Sequence, residues 1–180
     1  MTDSSSNQPI TLQRISPETV SIFKAVRLSA LQDTPTAFGS TFAREAQLSD
    51  AEWLQRSKRW TTDHAIGYLA FDGDAACGIV AAFRDEEEPH RACVVSMWVD
   101  PSWRRSGVGR ALIHALRDWA VTCGHSALAL MVTSVNTSAI RFYERIGFQM
   151  SGRTEPYPND PDILEYEMIL TLPGETTTRI

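Results

Sequence analysis

Thiols are scarce in this chain: Cys77, Cys93 and Cys123 are the only three, far apart and without a C-x-x-C pair. An odd, scattered set rules out a disulfide framework, offers no zinc spacing and fits a reducing compartment. His64, His90, His114 and His125 show no metal-ligand spacing either, so no metal is expected. Positive charge is not in excess. Seventeen Lys and Arg against 22 Asp and Glu leave a net charge of −5, whereas nucleic-acid binders present a basic face. No apolar run approaches membrane-spanning length, and residues 1–9 lack the hydrophobic stretch of a signal peptide. A P-loop is excluded because no Gly-Lys-Ser/Thr triplet exists. The expectation is a cytoplasmic protein with neither nucleic-acid nor membrane partners. At 180 residues one domain is the natural size, burying roughly 70% of its unfolded surface without a staple.

Hydrophobic periods alternate along the chain. Strands are predicted at 10–15, 65–71, 75–83, 92–99, 127–133, 148–153 and 163–172, from β-rich apolar runs bounded by turn residues. The run 92–99 is almost continuously apolar, as a strand covered on both faces would be. Asp72-Gly73-Asp74 turns the second strand into the third. Ser16-Pro17-Glu18 opens a helix that Pro35 ends. Ser49-Asp50-Ala51-Glu52 opens another, and 34–41 reads as a loop. A longer helix runs from about Gly107 to Cys123, with Gly124 past its end. Asn136-Thr137-Ser138 caps a shorter one stopped by Gly147. Residues 1–9 and 173–180 read as disordered tails flanking one domain at 10–172. No internal repeat is present.

One junction carries chemistry. Val99-Asp100-Pro101-Ser102-Trp103-Arg104-Arg105-Ser106-Gly107-Val108-Gly109-Arg110 lies between a buried strand and an amphipathic helix. Free N–H groups at the helix start and its dipole favour an anion there. Two glycines one residue apart let a phosphate approach the backbone, and Arg104, Arg105 and Arg110 add charge, so the turn suits a pyrophosphate. A dinucleotide fingerprint would need a small residue where Leu112 stands.

The R-x-x-G-x-G run from Arg104 to Gly109 resembles the signature of the GNAT superfamily of N-acetyltransferases. Downstream, Asn136 and then Phe142-Tyr143-Glu144-Arg145-Ile146-Gly147-Phe148 resemble its second hallmark, an Asn followed by a helix ending in (F/L)-Y-x-x-x-G-F. Arg27–Leu31 and Ala37-Phe38-Gly39 resemble the opening of many members, so the likeness spans roughly 10–172. It implies a single α/β domain whose mixed, mostly antiparallel sheet is splayed between its fourth and fifth strands, with helices on both faces.

The resemblance also implies acetyl-CoA as co-substrate and an amine, small molecule or peptide, as acceptor. Relatives often dimerise, so a homodimer is open to this chain. Met97, Trp98 and Val99 would bond the pantetheine arm through their backbone, the Val99 N–H facing the thioester oxygen. Arg104 would belong to the same site, and Arg105, Ser106, Gly107, Val108, Gly109 and Arg110 would hold the pyrophosphate. Asn136 would bond the coenzyme, though it also reads as a plain helix cap. Tyr143 would protonate the departing thiolate, though tyrosines on an apolar stripe commonly pack in cores. Some relatives carry a glutamate base five residues before the Asn. Met131 stands there, leaving the base unassigned between water, Glu165 and Glu167. Phe38, Phe42 and Tyr157 either border the acceptor groove or simply pack. The acidic run Asp85–Glu88 reads as a solvated loop. A CoA-binding sensor without turnover, or a nucleotide-binding module, are the rival readings.

Overall fold

The computed structural model describes residues 9–173. The tails expected at 1–9 and 173–180 lie, apart from Pro9 and Pro173, outside the described residues. In chain order the elements are β1 (Thr11–Arg14), α1 (Val20–Asp33), α2 (Phe42–Glu45), α3 (Asp50–Arg59) and β2 (Thr61–Thr62). Then come β3 (Ala65–Asp72), β4 (Ala75–Arg84), β5 (Arg91–Val99), α4 (Val108–Thr122), β6 (Ala127–Thr133), α5 (Thr137–Arg145), β7 (Gln149–Tyr157) and β8 (Asp160–Thr171). Three short 3-10 turns, Pro17–Thr19, Pro35–Ala37 and Pro101–Trp103, each begin with a proline, whose fixed φ suits a first helical position.

The strands form one sheet in the order β1-β3-β4-β5-β6-β8-β7, with β2 paired to β3. Every pairing is antiparallel except β5 with β6. That parallel pair is joined through α4, because a parallel connection needs a long crossover. Its register lasts only from Arg91↔Ala127 to Cys93↔Ala129. Beyond it β5 runs on to Val99 and β6 to Thr133 unpaired with each other, and the sheet splays there. These are the fourth and fifth strands of the sequence-based expectation, renumbered by the two-residue β2.

Each face of the sheet has its own core. On one, Val108, Leu112, Leu116 and Ala120 of α4 and Tyr143 of α5 pack over Val80, Val94, Leu128, Leu130 and Met168. On the other, Phe23, Val26, Ala30 and Leu31 of α1 and Trp53 of α3 pack over Leu69, Ile79, Ala81 and Trp98. Both helix sets present apolar residues at three- and four-residue spacing, which places one stripe against the sheet. The last two strands are longer than predicted, and 34–41 holds a 3-10 turn and leads into α2. On that side α1 packs over β4 and β5 and the turn at Pro35–Ala37 reaches β6, while the rest of that face of β6, β8 and β7 borders a cavity.

Candidate active site

At the splay, β5 bulges. Ile79 faces Trp98 and Ala81 faces Val95, so Ser96 and Met97 together oppose Val80, and Ser96 takes φ 58. Bulges re-aim the strand locally and are enriched beside active sites. Arg27 of α1 supports the bulge from below: its Nη1 donates to Ser96 Oγ at 3.3 Å. Its other nitrogens donate to the buried Glu45 at 2.9 and 3.1 Å, and its guanidinium lies 4.8 Å over the Phe38 ring. Burial opposes ionisation of Glu45, but the Arg27 bonds hold its carboxyl below the usual range. Past the bulge, the Asp100 N–H bonds to Cys77 O at 2.9 Å. Strand alternation therefore turns the N–H and C=O of Val99 the other way, toward the gap.

Two cavities meet in that gap. The larger, of about 990 Å³, is lined by Met97, Trp98, Val99, Arg104, Arg105, Gly107, Gly109, Arg110, Asn136 and Tyr143. Every candidate from the sequence is thus gathered there except two. The Val108 side chain is fully buried in the core, and Ser106 Oγ donates to Trp103 O at 2.5 Å. Gly107 caps α4 with φ 97 and no side-chain cap. The first intrahelical bond runs from Ala111 N–H to Gly107 O at 3.0 Å, leaving the N–H groups of Val108, Gly109 and Arg110 without helical acceptors. Arg141 and Arg145, one turn apart on α5, complete the rim. Sequence reasoning missed both, although their four-residue spacing marks a single helix face.

Arg104 and Trp98 are committed elsewhere. Arg104 Nε donates to Val99 O at 3.0 Å and its Nη2 bonds Asp33, while Trp98 Nε1 donates to Asp33 at 2.9 Å. Burial works against ionisation of Asp33, but the bonds from Trp98, Thr34 and Arg104 keep its carboxyl below its ordinary value. These two side chains tie the strand end to the end of α1. Asn136 Oδ1 accepts from the Ala139 N–H at 3.2 Å, so it does cap α5. Tyr143 is 7% exposed against Phe142 and Phe148. Burial alone pushes its phenol well above the ordinary tyrosine range, so it stays protonated at any physiological pH.

The second cavity, of about 650 Å³, opens on the far side of Met97, Asn136, Ala139 and Tyr143, which together with Ala37 and Phe38 line both. Its floor is that face of β6, β8 and β7, with Met131, Thr133, Glu165, Glu167, Arg153 and Glu155. Its wall is Ala37–Ser40, with Arg27 behind. That wall is fastened across the opening: Tyr157 Oη donates to Phe38 O at 2.6 Å and Asn159 Nδ2 to the same oxygen at 3.1 Å. Phe38 and Tyr157 therefore shape the cavity, one as lining and one as fastening. Phe42 packs against the α1-side core.

In the acidic run before β5, Glu86 and Glu87 are exposed as the sequence suggests, and Asp85 departs from that reading. Asp85 is 8% exposed rather than solvated. Burial opposes its ionisation, but the Arg91 guanidinium at 2.7 Å and the N–H groups of Glu87 and Glu88 hold it down to about 2. Cys93 also lines this cavity. Burial and the neighbouring Asp85 push its thiol up to about 12, so it offers no thiolate near neutrality.

Among the described residues no helix is long and apolar enough to cross a membrane, and no three His, Cys, Asp or Glu side chains form a metal-binding group. The chain is 36% identical over 86 residues to human N-acetylaspartate synthetase, covering 48% of this chain and 28% of that protein. It is 34% identical over 99 residues to the [ribosomal protein bS18]-alanine N-acetyltransferase of Escherichia coli K12, covering 55% and 64%. This chain thus spans under a third of the one relative's length and just under two thirds of the other's. In fold it is similar to a Salmonella typhimurium protein solved with its cofactor acetyl-CoA, at a TM-score of 0.75 and 15% identity over 96% of this chain and 99% of that one. The model of the acetyltransferase (GNAT) family matches residues 28–148, two thirds of the sequence, from the second half of α1 to just past the end of α5, and the chain belongs to that family.

Proposed function

We propose that this protein is a cytoplasmic enzyme that transfers an acetyl group from acetyl-CoA to a primary amine by direct attack, with residues 10–172 as the catalytic domain. The observation that carries this is the meeting of an arginine-rimmed cavity and an open cavity at Met97, Asn136, Ala139 and Tyr143. One cavity suits an anionic coenzyme, the other an acceptor, and the shared wall is where the two would react.

The residues present fit acetyl-CoA. Free N–H groups at the start of α4, flanked by Arg105, Arg110, Arg141 and Arg145, suit a pyrophosphate. The unpaired inner edge of β5 offers Met97 backbone groups to the pantetheine amides, as sheet edges do to an added strand. When bound, acetyl-CoA supplies the activated thioester. Val99 N–H stabilises charge developing on its carbonyl oxygen. Tyr143, kept protonated by burial, delivers a proton to the departing sulfur. Asn136 holds the start of α5, and so Tyr143, in place. Cys93, the cysteine that lines the cavity, is held as a thiol and so is a poor nucleophile for a covalent acetyl-enzyme, which favours direct transfer.

The test is calorimetric titration of acetyl-CoA, then thiol release against a panel of amines. The panel includes L-aspartate and a peptide beginning with alanine, after the names of the two relatives. Binding with thiol release establishes the enzyme and its acceptor class together. Binding with no release from any amine favours a CoA-binding sensor, a reading that Met131 at the base position keeps in play. No binding removes the proposal.

A further inference from the structure

Resting on the N-acetyltransferase reading, we propose that Glu165 receives the acceptor's ammonium and removes its proton, so that the acceptor is an alkyl amine charged at neutral pH. Glu165 sits on β8 between two strands, directly opposite Thr133 of β6 and Glu155 of β7, and faces the open cavity that also holds Tyr143. Three observations single it out from the other carboxylates there.

The first is charge. Glu167, two residues along the same face, is 6% exposed and neutralised by Arg91 at 3.2 Å and Arg153 at 3.8 Å. Glu155 pairs with Arg153, and Asp85 with Arg91. Among the described residues Glu165 and Glu87 have no ion pair, and Glu87 is exposed on the segment before β5 whereas Glu165 is half-buried on the cavity floor. The second is an unanswered hydroxyl. Thr133 is 2% exposed, its Oγ1 has no hydrogen-bond partner, and it lines the same cavity across from Glu165. Buried hydroxyls are rarely left so, because the desolvation is uncompensated; an incoming N–H would answer it. The third is the Glu155–Glu165 pairing itself. Like charges directly opposite in a sheet are unfavourable, and an ammonium beside them relieves the repulsion.

The chemistry agrees with the placement. Burial, then the neighbouring Glu155, raises the Glu165 carboxyl above its ordinary value, which makes it a better proton acceptor than an exposed glutamate. The charged groups around it are Glu155 and Arg153 on β7, Glu167 on its own strand, Arg91 on β5, Asp85 and Glu87 before β5, and Arg27 on α1. The cations among these are matched by Glu45, Asp85, Glu88, Glu155 and Glu167.

Two protons leave the nitrogen over the reaction. Glu165 takes the first, freeing the lone pair, and later releases it to solvent through the open cavity. The nitrogen then bonds to the thioester carbon, the C–S bond breaks, and Tyr143 protonates the sulfur. The second nitrogen proton restores the tyrosine.

Glu165→Gln tests this, with spermidine, lysine, L-aspartate and an alanine-initiated peptide as acceptors and acetyl-CoA affinity measured alongside. The expected result is unchanged acetyl-CoA affinity with turnover at pH 7 lower by roughly 100-fold. That deficit shrinks as rising pH deprotonates the free amine. Glu165→Asp should restore part of the rate. Without any coenzyme, the Glu165 carboxyl carbon should titrate in NMR above an ordinary glutamate and shift when spermidine is added. Thr133→Val should raise KM for the amine while leaving thermal stability equal or higher. Wild-type turnover matched by Glu165→Gln within about threefold across the pH range would overturn the assignment and leave the enzyme standing. Wild-type protein inert toward every amine would instead remove the activity on which the inference rests.

Discussion

Gly107 and Gly109 answer to different constraints although a single residue separates them. Around Gly107 there is room for a side chain, but its φ of 97 is a conformation that other residues rarely adopt. At Gly109 a Cβ would lie 3.0 Å from Phe142 Cζ and 3.2 Å from Met97 Cε, so glycine here keeps α4 close to α5 and β5. Gly107→Ala is expected to cost about 1–2 kcal/mol through the left-handed backbone, seen as a lower thermal midpoint together with weaker acetyl-CoA binding. A fully stable variant would mean the turn relaxes. Tyr143→Phe is expected to lower kcat roughly 100-fold with coenzyme affinity and midpoint unchanged; equal turnover removes the phenol from the chemistry. The glycine turn and the tyrosine were legible in the sequence because each sits in a local pattern. Glu165, Thr133 and Glu155 were not readable as a group, since only strand register makes neighbours of residues 133, 155 and 165.

Among the elements, α5 is short at nine residues and depends on its cap. Asn136→Ala should cost about 1 kcal/mol and fray the turn leading to Tyr143. Asn136→Asp preserves a capping oxygen but sets a negative charge on the wall of the coenzyme cavity. It should match the wild-type midpoint while weakening acetyl-CoA binding in calorimetry, and equal binding would limit Asn136 to capping. The β7–β8 hairpin holds the cavity wall through Tyr157. Tyr157→Phe deletes the bond to Phe38 O, which keeps Asn159 as donor. The expected loss is therefore about 1 kcal/mol, with a higher KM for the amine as residues 37–40 loosen.

The elements with a clean period were read closely from sequence: β6 matches its expected limits, and α4 differs by a residue at each end. The hairpin was underestimated because Pro156, Pro158 and Pro161 look like strand breakers. In the fold Pro156 lies on β7, the terminal strand, where a missing N–H is tolerated. Pro158 sits in the turn, and Pro161 precedes the part of β8 that pairs with β6. The two-residue β2 and four-residue α2 lie below the length at which periodicity carries any signal.

For the molecule as a whole, charge is sorted in space. A chain of net −5 rims one cavity with arginines and floors the other with carboxylates. Acetyl-CoA association should therefore slow as ionic strength rises, more than its dissociation changes, as stopped-flow measurements would show. Acid stability follows from Asp85. Its folded pKa of about 2 lies below its ordinary value of 3.8, so the stabilisation is complete above about pH 5 and is lost as pH falls toward 2. Asp85→Asn should flatten that part of the thermal-midpoint curve; an unchanged curve would show that other carboxylates govern acid unfolding.

The parting of β5 from β6 after Cys93 leaves row upon row of backbone donors and acceptors inside a sheet rather than at its border. Such a row is a template for any passing extended chain, and border strands are usually blunted by charge or proline against that hazard. Here the guard is recess: the row lies at the bottom of a cleft rimmed by arginines. On the acetyltransferase reading bound coenzyme would fill that row, so added acetyl-CoA should slow any aggregation of the purified protein, as light scattering with and without it would show.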